Sequence, residues 1–360
     1  MSHPPTLRRG WTTGTCATAA AKAAATALLT GRFADPVTVT LPRGGTATFP
    51  LAAARLERTT ATATVIKDAG DDPDVTHLCR VVASLRLQPT IDGVTFAAGE
   101  GVGTVTRAGL PIPTGEPAIN PVPRQMIRQA LAEVCDATAT ATGFAVTLAI
   151  PGGGALAAKT LNPRLGIVGG LSILGTTGVV VPFSCAAWIH SIHRGIDVAR
   201  AAGLDHVAAA TGSTSEAAIQ RRHQLADPAL IEMGDFAGAT LKYLRRHPVR
   251  RLSLAGGFAK LAKFALGATD LHSGRSTLNQ GALADLAQAH GLTPSDADRI
   301  RHAGSGGEAL ASLGPTAPHL ARAVATTART QALQALDHRI AVEVVVYDRA
   351  GEELAAANGW

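Results

Sequence analysis

Residues 164–184 read RLGIVGGLSILGTTGVVVPFS, and no Asp, Glu, Lys or Arg occurs between Arg164 and His190. Two short β-branched runs, residues 166–168 and 179–181, enclose a centre that is rich in glycine and threonine. Glycine lets a backbone bend tightly and approach a ligand, and threonine supplies hydroxyls and amides as hydrogen-bond partners. The pattern predicts a ligand-binding loop between buried strands, and a glycine-rich structural crossover is the alternative.

The composition is that of a globular protein. The chain has 360 residues, a length that suggests two domains or three, and 46% of the residues are hydrophobic and 17% charged. The net charge is +6, yet the basic residues are scattered and aromatic residues make up only 4%, so no nucleic-acid partner is expected. Because arginine binds carboxylates bidentately, a polyanionic small molecule fits the charge better.

The cysteines and the charge-free stretch indicate a cytoplasmic protein. The four cysteines are widely spaced and form no CxxC or Cys/His cluster, so we expect reduced thiols and no metal site. The glycines, hydroxyls and Pro182 of the charge-free stretch argue against a membrane-spanning helix, and no membrane partner is expected.

Near the N-terminus, residues 7–31 read LRRGWTTGTCATAAAKAAATALLTG. A threonine cap, an alanine-rich run and Gly31 predict a helix whose first-turn amides receive an anion. Cys16 falls in that first turn, where a helix dipole lowers a thiol pKa. A nucleophilic role is one reading of Cys16, and a packed thiol is favoured over it because no partner base is evident.

Residues 36–110 alternate with period two between Gly and Pro turns, which predicts antiparallel strands. The acidic loop at residues 68–77, KDAGDDPDVTH from Lys67, is either a divalent-cation site or, as favoured, a solvated acidic turn. A helix is expected from about Val122 to Cys135. Together these elements predict an α+β domain over residues 1–155.

The rest of the chain alternates strand and helix, which predicts an α/β domain with a mostly parallel sheet over residues 156–348 and a frayed tail over 349–360. Small or polar residues follow three strands, at residues 211–216, 234–236 and 256–263. Ligands bind at the carboxyl ends of such strands, so these three segments predict a binding rim. No complete GxGxxG or Walker A pattern supports a standard dinucleotide or nucleotide site.

Six segments, in order, carry a family resemblance: RRGWTTGTCATAAAKAA, INPVPRQMI, GIVGGLSILGTTGVVVP, ATGSTSE, MGDFAGATLKYL and AKLAKFALGATDLHS. The chain resembles the CbiD family from about Leu7 to Tyr347. The resemblance implies methyl transfer from S-adenosylmethionine to C1 of cobalt-precorrin-5B, in the oxygen-independent route to cobalamin. Such a transfer is an in-line displacement that mainly needs alignment of donor and acceptor and exclusion of water, so it requires no strong general base.

The resemblance and the strand ends together yield candidate site residues. Those for the methyl donor are Gly169, Gly170, Thr176, Thr177, Gly178, Thr211, Gly212 and Asp235, where the carboxylate of Asp235 is expected on the ribose hydroxyls. Those for the substrate carboxylates are Thr13, Gly14, Thr15, Arg124, Lys260, Lys263 and Arg275. His272 is a candidate for either carboxylate binding or acid–base catalysis, and no residue is assigned to a metal.

Two other functions compete with this prediction. A non-catalytic protein that binds a corrinoid intermediate would share the substrate surface, and a small-molecule kinase would share the mixture of strands and glycine-rich turns. Retention of S-adenosylmethionine separates the methyltransferase from both. The oligomeric state, a homo-oligomer included, is left open by the sequence.

Overall fold

A computed structural model describes residues 7–91 and 93–360 of the chain. The chain divides into two compact units, the first ending at Cys185 and the second beginning at Ala186. The boundary expected near residue 155 therefore lies inside the first unit. The α/β character expected for the chain is confirmed, since both units combine helices with sheets.

The first unit is built around a helix made almost wholly of small residues. Helix α1 (Thr13–Thr30) begins after the N-cap Thr12, whose side chain accepts the amide of Thr15, and ends at Gly31 in the left-handed conformation (φ 78°). Every residue from 13 to 21 is buried. A helix that is apolar all round lies in a core, and α1 packs against strands on one side and helix α2 (Pro121–Thr138) on the other.

Most strands of the first unit are antiparallel, as predicted. They are β1 (Gly10–Trp11), β2 (Val37–Thr40), β3 (Thr46–Phe49), β4 (Ala53–Leu56), β5 (Thr60–Ile66), β6 (Arg80–Gln88), β7 (Val94–Ala98), β8 (Thr104–Val105), β9 (Gly143–Ala149), β10 (Ile167–Val168) and β11 (Val179–Val180). The main sheet has the order β4-β5-β6-β9-β7, in which only β7 and β9 run parallel among the described strands. The short helix α3 (Gly153–Ala157) follows β9.

The charge-free stretch belongs to the first unit because its two strands pair there. Strand β10 pairs with β8, and β11 pairs with β1, both antiparallel. The short β-branched runs are therefore strands, as predicted, but each spans two residues, joins a two-stranded ribbon and is not fully buried. This pairing explains why the unit extends to residue 185, past the expected boundary.

The second unit is a sheet covered by helices. Its strands are β12 (His206–Ala210), β13 (Leu230–Glu232), β14 (Arg251–Gly257), β15 (Ala341–Tyr347) and β16 (Glu353–Ala357). Its helices are α4 (Cys185–Ala201), α5 (Ser213–His223), α6 (Ala237–Arg246), α7 (Phe258–Ala265), α8 (Gln280–Ala289), α9 (Pro294–His302), α10 (Gly306–Ser312) and α11 (Ala317–Ala335). The order is β13-β12-β14-β15-β16, in which the first four strands are parallel.

Strand β16 shows that the C-terminal residues are not a frayed tail. The chain turns at Gly351 (φ 86°) and returns antiparallel beside β15, which makes β16 an edge strand. Its side chains are mostly alanine, a residue depleted in strands, so local propensity concealed it. Within the described residues, no helix has both the length and the apolar character that crossing a membrane requires.

Candidate functional site

The second sheet reverses its strand order between β12 and β14. After β12 the chain crosses to β13 on one side, and then returns to β14 on the other side of β12. Such a reversal leaves a crevice outside the carboxyl ends of the two central strands, where α/β proteins bind ligands. Strand β12 ends just before Thr211 and the neighbouring strand β14 ends at Gly257, so two of the three predicted segments begin at adjacent strand ends.

Two glycines leave space at this crevice. A Cβ built on Gly212 or on Gly257 would meet no heavy atom within 4 Å, whereas one on Gly256 would lie 2.7 Å from the Thr211 hydroxyl oxygen. Neither backbone needs glycine, because Gly212 is extended (φ 176°) and Gly257 has φ −69°. The open volume at both strand ends is therefore available to a ligand.

A lysine ties the three predicted segments together. The Lys260 ammonium donates to the Thr211 carbonyl at 2.9 Å and lies 2.9 Å from a carboxylate oxygen of Asp235. Thr211 follows β12, Asp235 follows β13 and Lys260 lies on α7 after β14. Three residues predicted separately are thus neighbours, and the Asp235 carboxylate stays partly exposed at the crevice.

The segment after α7 is hydrogen-bonded to this edge of the sheet. The Leu271 amide donates to the Asp235 carbonyl at 2.9 Å, and the Lys263 ammonium donates to the Leu271 carbonyl at 3.2 Å. Two further predicted residues, His272 and Arg275, are exposed on the same segment. The hydrogen bond between Leu271 and Asp235 therefore brings the segment that carries them next to Asp235.

His272 is engaged by its own turn. Its Nδ1 accepts the Gly274 amide at 3.1 Å, which places its ring proton on Nε2. Arg275 pairs with Asp270 at 2.8 Å, and that hydrogen bond, outweighing burial, lowers the pKa of the Asp270 carboxyl below its usual value. The turn is thus held by its own side chains, and the role of His272 in acid–base catalysis stays a prediction.

Trp188 is a feature of this edge that the sequence did not reveal. Its indole NH donates to the Glu232 carbonyl at 3.1 Å, and its ring borders Gly234, where a Cβ would come within 3.4 Å of the indole nitrogen. Trp188 lies one helical turn before Ile192, which is buried, but Trp188 is 44% exposed. The exposed ring borders the segment that carries Asp235.

In the first unit, the amides assigned to an anion bind the protein itself. The Gly14 amide donates to the Leu174 carbonyl at 3.0 Å, and the Thr15 hydroxyl donates to the Gly178 carbonyl at 2.7 Å. Thr13 and Thr15 are buried as well. The Gly14 amide and the Thr15 hydroxyl are thus paired within the protein, and the N-terminus of α1 anchors the glycine-rich stretch.

The stretch itself is partly packed and partly open. Gly170 is buried, where a Cβ would lie 2.3 Å from the Gly101 carbonyl oxygen, and Gly178 is buried against Thr15. Gly169 and Thr176 are exposed, and the Thr177 hydroxyl donates to the Val179 carbonyl at 2.9 Å. Four apolar side chains of the stretch are also well exposed: Val168, Leu174, Val181 and Phe183.

Arg124 is committed to a structural role. Its guanidinium donates to the Ile119 and Pro117 carbonyls and to the Glu116 carboxylate at 2.8–3.2 Å. It also lies 5.2 Å from the Phe96 ring centroid. These contacts occupy the donors that were expected to bind a substrate carboxylate.

The acidic loop is a partly exposed turn, as favoured, and its carboxylates bind protein donors rather than a cation. Asp68 pairs with Arg8, Asp71 accepts the Arg8 amide at 2.6 Å, and Asp72 accepts the Phe183 amide at 2.8 Å. The hydrogen bond from Arg8 lowers the pKa of Asp68 to about 2.

The fourth carboxylate of the loop neutralises a buried lysine. Lys67 is fully buried, and its ammonium lies 2.5 Å from Asp74. Burial alone raises the pKa of Asp74, but the charge of Lys67 and the hydrogen bonds from Lys67 and Thr76 lower it on balance. The loop therefore fixes the first unit's N-terminal segment and the end of the glycine-rich stretch.

Cys16 is a packed thiol. Its side chain is fully buried, and burial raises the pKa of the thiol to about 12. The lowering expected from the helix dipole is therefore wrong in direction, because loss of hydration outweighs it.

The eight residues predicted for a methyl donor fall into two groups. Gly169, Gly170, Thr176, Thr177 and Gly178 lie in the first unit, and Thr211, Gly212 and Asp235 lie in the second. The second group, joined by Lys260, has an open volume at a strand-order reversal. The second unit is thus an α/β domain with a candidate small-molecule site at the carboxyl edge of its sheet.

Comparisons with known proteins identify the family. The CbiD family model matches residues 1–182, and the model of the CbiD C-terminal domain matches residues 270–358. Two proteins named cobalt-precorrin-5B C(1)-methyltransferase, from Brucella anthropi and Brucella canis, are 54% and 53% identical over 97% of this chain and 95% of their own length. The chain belongs to the CbiD family.

A solved structure is also similar. The crystal structure of cobalamin biosynthesis protein (cbiD) from Archaeoglobus fulgidus matches with 28% identity and a TM-score of 0.40, over 75% of this chain and 83% of that one.

Proposed function

We propose that this protein is a methyltransferase of cobalamin biosynthesis that methylates C1 of cobalt-precorrin-5B, with S-adenosylmethionine as the methyl donor. Support comes from the family and from the activity printed in the names of relatives that align with nearly the whole chain. The observation that carries the donor site is the open volume at Gly212 and Gly257, beside the Asp235 carboxylate.

The residues at this edge suit a nucleoside with a charged sulfonium. A carboxylate just past the end of a sheet strand binds ribose hydroxyls in α/β proteins, and Asp235 lies just past the end of the edge strand β13. The exposed face of Trp188 offers a stacking surface for a purine. S-adenosylmethionine would supply an electrophilic methyl group, and we assign its binding to Thr211, Gly212, Asp235, Trp188 and Gly257.

The remaining role of the protein is to align the methyl donor with the acceptor and to exclude water. Lys260 holds Asp235 and the Thr211 carbonyl in place, so the two strand-end loops are fixed before a ligand binds. Such positioning lowers the barrier of a displacement because the entropy is lost on binding rather than in the transition state. No general base is needed, which agrees with the engagement of His272 in its own turn.

We assign the substrate carboxylates to the cations of the same unit. Lys263 and Arg275 lie on or beside the segment bonded to Asp235. The spacing of the cysteines fits a reducing, cytoplasmic setting.

A direct assay tests the proposed function. Purified full-length protein is incubated with methyl-labelled S-adenosylmethionine and cobalt-precorrin-5B, and the expected result is label at C1 of the corrinoid. Retention of the corrinoid without transfer, and without binding of S-adenosylmethionine, would instead indicate a non-catalytic binding protein. Asp235→Asn should weaken donor binding in calorimetry, whereas Asp205→Asn, at an exposed turn before β12, should not.

A further inference from the structure

A cluster of histidine and glutamate side chains lies away from the proposed site. His206 begins β12, His223 ends α5 and Glu343 lies in β15, so three distant parts of the second unit contribute. Their ligand atoms all lie within 4.8 Å of one another. The cluster is at the amino-terminal half of the parallel strands, opposite the crevice at Gly212. The sequence predicted no metal-ligand set, because it can place these residues together only through the sheet.

The cluster is held in place by a buried polar network. Glu343 is almost fully buried, and it accepts the Ser253 hydroxyl and contacts Nε2 of His223. Nε2 of His206 lies 2.7 Å from the same Ser253 hydroxyl. Hydrogen bonds of this kind fix the orientation of ligand side chains before a metal binds.

Two carboxylates and two guanidiniums surround the cluster. The guanidinium of Arg222 pairs with Glu353 and lies 4.0 Å from Glu343, and that of Arg251 lies 5.5 Å from the Trp360 ring centroid. These charges balance, so the attraction for a cation depends on the three ligand side chains themselves. The Trp360 ring covers the histidines, with its centroid 5.1 Å from that of His206 and 6.1 Å from that of His223.

We propose that His206, His223 and Glu343 form a binding site for a divalent transition-metal ion, Zn²⁺ in the first place. Two imidazoles and one carboxylate are ligands that Zn²⁺ prefers, and three protein ligands leave a fourth position for water. Binding replaces the contact between His223 and Glu343 with two metal bonds and releases any proton shared between them. The ion would tie the end of α5 to β12 and β15 and stabilise the second unit.

The test uses untagged full-length protein dialysed against EDTA, titrated with ZnCl₂ in a calorimeter. We expect one tight site per chain and a rise in melting temperature with Zn²⁺. Removing a residue that only hydrogen-bonds to a metal ligand typically weakens metal binding by about 10- to 100-fold. His223→Ala removes a ligand itself, so it should weaken Zn²⁺ binding by at least about 100-fold. With Co²⁺ in place of Zn²⁺, the wild type should show the visible absorption of a tetrahedral site, and the variant should not.

Controls separate this cluster from surface histidines. His193→Ala changes a histidine that stacks on Tyr243 at 3.9 Å, outside the cluster, and should bind Zn²⁺ like the wild type. Glu343→Gln keeps the shape of the side chain but removes its charge, and should lose the ion while its circular dichroism is unchanged. If Glu343→Gln does not fold, His223→Ala decides, because His223 is partly exposed at a helix end. Absence of a tight site, or equal affinity in His223→Ala and the wild type, would overturn the proposal.

Discussion

Adding a methyl group at Gly212 or Gly257 tests whether a ligand occupies the crevice at the reversal of the second sheet. Neither Cβ would meet a protein atom within 4 Å, so Gly212→Ala and Gly257→Ala should fold normally. Loss of glycine entropy in the unfolded chain stabilises by about 0.4–1 kcal/mol. Both residues are N-caps, where alanine is worse than glycine by a comparable amount, so the net change should stay within about 1 kcal/mol.

Donor binding should respond far more strongly. An extra methyl group in a filled site costs about 1–3 kcal/mol, which corresponds to a Kd that is about 5- to 140-fold higher. Calorimetry with S-adenosylmethionine measures the Kd, and urea unfolding measures stability on the same samples. Gly307→Ala is the matched control, since its Cβ is also unobstructed but lies on α10. Unchanged affinity in both crevice variants would refute the placement of the donor.

Three further predictions concern the first unit. Iodoacetamide should leave Cys16 unmodified in the native protein at pH 8 and alkylate it after denaturation, as read by mass spectrometry; native modification would contradict its burial. Because Asp68 titrates at about 2 when folded against 3.8 ordinarily, its contribution to stability is complete above 3.8 and is lost as the pH falls towards 2. Arg8→Ala should reduce that loss in acid unfolding, and an identical pH profile would exclude the pair. Lys67→Met should destabilise the protein by about 1–3 kcal/mol in urea, since Asp74 loses its partner, and an unchanged midpoint would argue against it.

Local signals in the sequence were sufficient for many of the regular elements, although not for β16. The threonine cap, alanine run and Gly31 define α1, and the apolar run before Tyr347 defines β15. The carboxyl ends of β12 and β14 followed from strand–helix alternation, so the rim that contains Thr211 was predictable. These signals depend on residues close together in the chain, and propensity and capping act at that range.

What the sequence did not reveal depends on contacts between distant residues. An amide in the first turn of a helix, such as that of Gly14, has no acceptor within the helix. Its acceptor in the structure is the Leu174 carbonyl, which lies far along the chain. Burial raises the pKa of Cys16 against the helix dipole, and burial is a property of the fold. The grouping of His206, His223 and Glu343 likewise depends on which strands become neighbours.

The glycine-rich stretch at residues 164–184 illustrates both cases. Its β-branched runs form strands as predicted. Its buried glycines allow close packing within the first unit and do not line an open pocket. The open glycines are those of the second unit, at Gly212 and Gly257. We therefore propose that the donor binds at these strand ends of the second unit.

Hydrogen–deuterium exchange with and without S-adenosylhomocysteine, the product form of the donor, tests the central claim most directly. Full-length protein at saturating ligand should show slowed exchange in peptides that contain residues 211–216 and 256–260. In the same experiment, peptides that contain residues 169–178 report on the predicted donor-binding residues of the first unit. Protection at the strand ends of the second unit is the predicted result, and protection confined to residues 169–178, or none at either place, would contradict the account.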